Sequence, residues 1–157
     1  MKISLICIGR TEETWIKEGM NIYVSRLKHY FPFTCAEIPA LKQVGNIVPL
    51  KQKEKEGELI LRATEGCDKV FLLDEKGKEY NSMEFSALLQ KQMNGSVKHL
   101  AFVIGGPFGF SDEVYARCPG RIAFSKMTFT HQMIRLICTE QIYRGATILK
   151  GEKYHHE

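Results

Sequence analysis

The segment from Leu100 to Leu149 constrains this chain most. It sets out, in order, an apolar run, a glycine loop, a helix start, a second apolar run, a second loop and a long helix. Leu100 to Ile104 is apolar throughout and reads as a strand buried on both faces. It breaks at Gly105-Gly106-Pro107-Phe108-Gly109, and Ser111-Asp112-Glu113 then opens a helix, with a capping serine and acids in the first turn. A shorter run, Arg121 to Phe124, enters Ser125-Lys126-Met127-Thr128-Phe129-Thr130-His131, after which the strongest helix of the chain begins. Alternation of this kind builds an α/β protein, whose ligand sites form at the carboxyl ends of its strands. The residues upstream then serve as scaffold for these two loops.

The scaffold reads as more of the same. Ile3 to Ile8 is a first buried strand closed by Gly9. Thr11 is placed to cap a helix in which Trp15, Ile16, Met20, Tyr23, Val24 and Leu27 recur at helical spacing, to about Tyr30. Phe33 to Ile38 is a second strand halted by Pro39, and residues 40–49 lack periodicity and read as a mobile loop. Lys51 to Thr64 alternates lysine and glutamate, a helix with a solvated face whose acids cancel most of any nucleic-acid patch. Val70 to Leu73 is a third strand ended by a polar turn, Asp74 to Lys78. Ser82 caps a helix striped by Phe85, Leu88, Leu89 and Met93 and stopped by Asn94-Gly95. No repeat or linker interrupts the chain, so residues 1–157 make a single α/β domain with a parallel-rich sheet of roughly five strands.

A formal charge of +4 permits an anionic partner without requiring one. Five cysteines, an odd number without CxxC spacing, read as reduced thiols of a cytoplasmic protein, mostly core fillers, and no metal is expected. No apolar run is long enough to span a membrane, and the N-terminal apolar stretch suits a strand better than a signal peptide.

The glycine loop matches neither GxGxxG nor a Walker A loop, and it holds no cation for a triphosphate. It suits a flat neutral ring such as adenine, approached through main-chain atoms where glycine leaves no side chain in the way; it serves equally well as a tight strand-to-helix turn. If its strand neighbours the next one, the second loop faces the same crevice, and Leu73-Asp74 supplies a third wall. His131, at the start of the last helix, is either a capping or packing residue or a proton acceptor. Met133, Ile134, Ile137, Cys138 and Ile142 cover near half of that helix, and Gln132, Arg135 and Thr139 form its narrow polar strip. Such a helix is central to the monomer or packs on a second subunit. Glu140 and Arg144 stand at i,i+4 and suit a structural ion pair. The tail, Lys150 to Glu157, is either a frayed end or an arm that closes over a pocket. From Arg121 onward six Lys/Arg (Arg121, Lys126, Arg135, Arg144, Lys150, Lys153) face three acids (Glu140, Glu152, Glu157), an excess that suits a polyanion.

Taken together, MKISLICIGR, KEKEGELIL, FLLDEKGKEYNS, FVIGGPFGF, FSKMTFTHQMIRLICTEQIYRGATI and the final YHHE resemble the ribosomal RNA large subunit methyltransferase H family, of the SPOUT class of S-adenosylmethionine-dependent enzymes. The resemblance covers essentially the whole chain in order. It implies a SPOUT-type α/β fold with a C-terminal deep trefoil knot, a feature rare enough that periodicity gives no hint of it. It also implies a homodimer, S-adenosyl-L-methionine as cofactor, and methylation of N3 of a pseudouridine in large-subunit rRNA on the assembled ribosome. The family's cofactor positions correspond here to Leu73, Gly105, Gly106, Phe124, Ser125, Lys126, Met127, Thr128 and Phe129. In the family a proline usually precedes the histidine, where this chain has Thr130. Tyr154 and His155 are similar to the family's tail, which reaches the site from the partner subunit.

For that chemistry the chain must align N3 with an already activated methyl, accept a proton and stabilise charge on the flanking carbonyls. His131 or His155 is expected to accept the proton, and Arg135 or Arg144 to hold phosphate or the developing oxyanion. A non-catalytic rRNA-binding module and a nucleotide-binding regulator are the alternatives.

Overall fold

The computed structural model describes residues 1–41 and 48–154. Part of the 40–49 loop and the last three residues of the tail, His155 among them, lie outside the described residues. The elements run β1 (Lys2–Ile8), α1 (Thr14–Leu27), β2 (Phe33–Ile38), α2 (Pro49–Ala63), β3 (Lys69–Glu79), α3 (Ser82–Asn94), β4 (His99–Ile104), α4 (Asp112–Arg117), β5 (Gly120–Ala123) and α5 (Met133–Leu149). Among the described residues the strands form one sheet in the order β2-β1-β4-β3-β5, each neighbouring pair parallel. Alternate residues of the central strands enter two cores. Ile3, Leu5, Leu100 and Phe102 face α1, α3 and α5, while Ile6, Ala101, Val103 and Leu72 face α2 and α4. Burial on both faces is why Leu100 to Ile104 reads as an unbroken apolar run and Ile3 to Ile8 as one interrupted only by Ser4.

Several local details differ from the sequence expectation. Thr11 does not cap α1; it is buried and gives its N–H and hydroxyl to Glu37 of β2, at 2.8 and 2.5 Å. Asn81 rather than Ser82 caps α3, in a capping box with Glu84. Asp74 to Lys78 does not end β3. Leu73 and Lys78 both pair with Ile122 of β5, so residues 74–77 form a polar bulge within a longer strand.

The last helix settles between α1 and α3, which accounts for its burial within one chain. Gly19 of α1 and Gly145 of α5 mark the tight crossings. A Cβ on the first would lie 3.0 Å from Leu136, and one on the second 2.9 Å from Leu89.

Candidate active site

Because the strands are parallel, their carboxyl ends share one edge of the sheet, and a cavity of about 740 Å³ opens there. The strands β4 and β5 do not meet the condition of being neighbours on which the sequence let their loops share a crevice: β3 lies between them. The loops that follow β4 and β5 therefore flank the end of β3, which brings Leu73 and Asp74 into the cavity wall.

Each wall has its own internal support. Asp74 accepts the Lys76 N–H at 2.8 Å through Oδ1, holding the bulge, and accepts the Tyr115 hydroxyl through Oδ2. Burial, reinforced by the Asp74 carboxylate, pushes that phenol up to about 12, so it stays a donor at any working pH. The Arg121 guanidinium lies 4.1 Å over the Tyr115 ring. In the second loop Ser125 Oγ accepts the Met127 N–H at 2.9 Å, and Phe124 packs edge-on against Phe85. Thr130 makes the loop's exit firm by hydrogen bonding. Its hydroxyl accepts the Met133 N–H at 3.1 Å and its carbonyl accepts the Ile134 N–H at 3.0 Å.

The glycines are needed for a different reason from the one expected. A Cβ on Gly105 would press on the Phe110 ring at 3.1 Å, and one on Gly106 would fall 2.2 Å from Glu56 Oε2. The missing side chain of Gly106 admits Glu56, which does not line the cavity, and that of Gly105 admits the ring of Phe110, which does. Gly109 is required by its backbone, at φ +76°.

Eight of the nine expected cofactor positions line the cavity: Leu73, Gly105, Gly106, Phe124, Ser125, Met127, Thr128 and Phe129. Lys126 does not. The wall is not free of cations either, since α2 brings in Lys53 and the β3 bulge brings in Lys76. Phe108, Met127 and Phe129 are 47%, 76% and 40% exposed, so the cavity carries apolar side chains open to solvent. A mostly apolar hollow of this size with a few fixed polar groups suits a nucleoside-bearing molecule such as S-adenosylmethionine.

His131 lines the cavity, whereas Arg135, Arg144 and Tyr154 do not; His155 lies outside the described residues. Arg135 is fully buried. Its guanidinium donates to the carbonyls of Ile8 and Gly9 at 2.7 and 3.1 Å, to Thr11 Oγ1 at 3.0 Å and to the carbonyl of His131 at 2.9 Å. Glu37 lies 3.7 Å away. Four of its five N–H donors are spent inside the fold and the side chain is shut off from solvent, so the expectation for Arg135 is corrected: it ties the start of α5 to the end of β1. Thr139, from the same polar strip, is equally buried and donates to the Arg135 carbonyl. Arg144 pairs with Glu140 at 2.6 Å, as the i,i+4 spacing suggested. Tyr154 folds back onto this pair, its hydroxyl 3.1 Å from Glu140, its ring 4.8 Å from Tyr143 and beneath the Arg144 guanidinium. Arg144 lies eleven positions beyond Met133, the first residue of α5, a rise of about 16 Å along the helix.

The family model described as "Predicted SPOUT methyltransferase" matches residues 1–155. The chain belongs to the SPOUT methyltransferase family. It is 55% identical over 157 residues to a protein of Parabacteroides distasonis named Ribosomal RNA large subunit methyltransferase H, covering all of both chains. It is 53% identical over 156 residues to a protein of that name from Christiangramia forsetii, covering 99% of each. The fold is also similar to a solved structure from Haemophilus influenzae Rd KW20, described as a probable methylase family protein. The TM-score is 0.54 at 11% identity, over 99% of this chain and 70% of that one.

Two wall residues of this SPOUT chain, Lys53 and Tyr115, escape the sequence analysis. For Lys53 a signal exists. Gln52, Glu56 and Ile60 recur every four residues along α2 and all three are buried, so the lysine-glutamate helix has an inward stripe that turns Lys53 toward the cavity rim.

Proposed function

We propose that this protein uses S-adenosyl-L-methionine to methylate N3 of a pseudouridine in large-subunit rRNA, on the assembled ribosome and as a homodimer. The observation that carries the reading is the meeting of three strand ends at one cavity lined by eight of the nine expected cofactor positions. The full-length identity to proteins named Ribosomal RNA large subunit methyltransferase H supports the substrate class. Work on the ribosome implies a cytoplasmic protein, consistent with the described residues, where no helix is long and apolar enough to cross a membrane. A deep trefoil knot in the C-terminal part belongs to the same reading.

Leu73, Gly105, Gly106 and the 124–129 loop would hold the cofactor, which supplies an activated methyl group. The chain's own work is to orient a uracil-like ring, exclude water and move a proton. Phe108 and Phe129, exposed on the cavity wall, offer flat apolar surfaces to a flipped-out base. His131 accepts the N3 proton as the methyl is transferred. Arg144 and Tyr154, which do not line this chain's own cavity, contribute with His155 to the partner's cavity instead. Exposed Trp15 and Ile22 on α1 and Met83 and Met93 on α3, the helices flanking α5, supply apolar surface for that dimer.

The decisive assay is transfer of labelled methyl from S-adenosylmethionine to ribosomes from cells lacking the protein, with mass spectrometry of the rRNA. Methylated pseudouridine is the expected product. Binding of S-adenosylhomocysteine without any transfer would favour a non-catalytic module, and binding of ATP instead would favour a nucleotide-dependent regulator.

A further inference from the structure

Helix α2 was expected to be a solvated scaffold element, yet it carries two buried polar side chains directly behind the glycine loop. Glu56 is 3% and Gln52 4% exposed. The Gln52 amide donates to Glu56 Oε1 at 2.8 Å, and among the described residues Glu56 Oε2 and Gln52 Oε1 have no hydrogen-bond partner. Leaving acceptors buried and unpaired is costly, so a carboxyl kept in such a place calls for a reason beyond filling space.

The geometry supplies one. A Cβ on Gly106 would lie 2.2 Å from Glu56 Oε2 and 2.8 Å from its Cδ, so the carboxyl occupies the space that any side chain at 106 would need. The next residue of the helix, Gly57, does the same at the loop's other end. A Cβ there would meet Ser111 Oγ at 2.3 Å, and Ser111 is the cap of α4. One turn of α2 therefore touches the glycine loop where it leaves β4 and where it enters α4. Gly106 is held between the Glu56 carboxyl on one side and the cavity it lines on the other.

We infer that Glu56 is a positioning residue for the cofactor cavity: its carboxyl, wedged behind Gly106, fixes the stretch of main chain that the loop presents to S-adenosylmethionine. The inference rests on the cofactor reading above. Burial pushes this carboxyl up from the ordinary range, opposed in part by the Gln52 amide, and what Gly106 meets is the bulk of its planar end. A neutral amide of the same shape should therefore do the same work, and a truncated side chain should not.

The test uses the full chain and S-adenosylhomocysteine, titrated calorimetrically into the wild type, Glu56→Ala and Glu56→Gln, with steady-state methyl transfer to ribosomes alongside. Glu56→Ala is expected to weaken binding about tenfold and to raise the KM for S-adenosylmethionine by a similar factor, with kcat little changed. Glu56→Gln is expected to restore both to within about twofold. Should Glu56→Ala fail to fold, Glu56→Asp, whose carboxyl is one methylene short of Gly106, carries the same test. Wild-type affinity in the truncated variant, or a glutamine variant as weak as alanine, overturns the inference and leaves the functional reading standing. No binding by the wild type removes that reading and this inference with it.

Discussion

Arg135 offers the sharpest test, because sequence and structure give it different work. Replacing it with methionine keeps much of the aliphatic volume and removes the guanidinium. Five groups then lose their partner: the carbonyls of Ile8, Gly9 and His131, the Thr11 hydroxyl and the Glu37 carboxylate. Glu37 is 35% exposed and keeps its two bonds from Thr11, so water and that residue absorb part of its loss. The Ile8 carbonyl has no such relief, because the bond it loses is buried. Removing one member of a buried charged network costs about 3–5 kcal/mol. In a domain of this size each kcal/mol lowers the melting temperature by about 2–4 °C, so Arg135→Met should melt roughly 6–20 °C below wild type. Calorimetric melting of both proteins at equal concentration measures this. A variant that melts within about 2 °C of wild type but no longer binds rRNA would refute the structural role and return Arg135 to the phosphate-binding one that its place on the helix suggested.

His131→Ala should lower kcat for methyl transfer by about 10²–10⁴ while leaving S-adenosylhomocysteine affinity near wild type; an unchanged kcat would remove it as the proton acceptor. Gly77→Ala would place a methyl 2.5 Å from the Ile122 carbonyl carbon, a backbone atom with little freedom to retreat. A loss of about 1–3 kcal/mol is expected in urea unfolding, and an unchanged midpoint would show that β3 and β5 separate more easily than their register implies. His99 is held below its ordinary 6.5 by burial and then by Lys2, so its folded form favours the neutral ring. Stability is therefore full above 6.5 and declines as pH falls through the depressed folded value; His99→Gln should flatten the melting temperature over that acid window.

How much could be read from the sequence follows from the range of the interactions involved. The apolar runs of β1 and β4, the glycine break after Ile104 and the Ser111 cap are local signals, and the elements form where those signals lie. Arg135 shows where such reading stops. Its period puts it beside Gln132 and Thr139 on a polar strip, and periodicity alone sends a polar strip to water. In the folded chain that strip meets the end of β1, whose last carbonyls have run out of strand partners and need donors. Those carbonyls come from 126 and 127 residues away, and no window on α5 contains them. The glycine loop was found for a sound reason; Gly105 answers to Phe110 within the same loop, but Gly106 answers to Glu56, a side chain fifty positions away that only the tertiary fold brings there.

The catalytic set shows the same limit at the level of the whole assembly. His131 lines the cavity just before α5 begins, while Arg144 sits about three turns along the helix with Tyr154 folded back onto it, the two tied together by Glu140. A single chain that needed His131 and Arg144 at one ring would have to bend the helix, and its unbroken run from Met133 to Leu149 leaves no break for that. Two chains meeting along α1, α3 and α5 could satisfy the requirement without strain, each lending its tail to the other. Mixing His131→Ala with Arg144→Ala chains puts this to direct test. Free reassortment makes half the dimers mixed, and each mixed dimer holds one cavity in which both residues are native. Activity should then return to roughly a quarter of wild type although each variant alone is nearly inactive. If the mixture stays as inactive as its parents after subunit exchange has been verified, Arg144 does not act across the dimer.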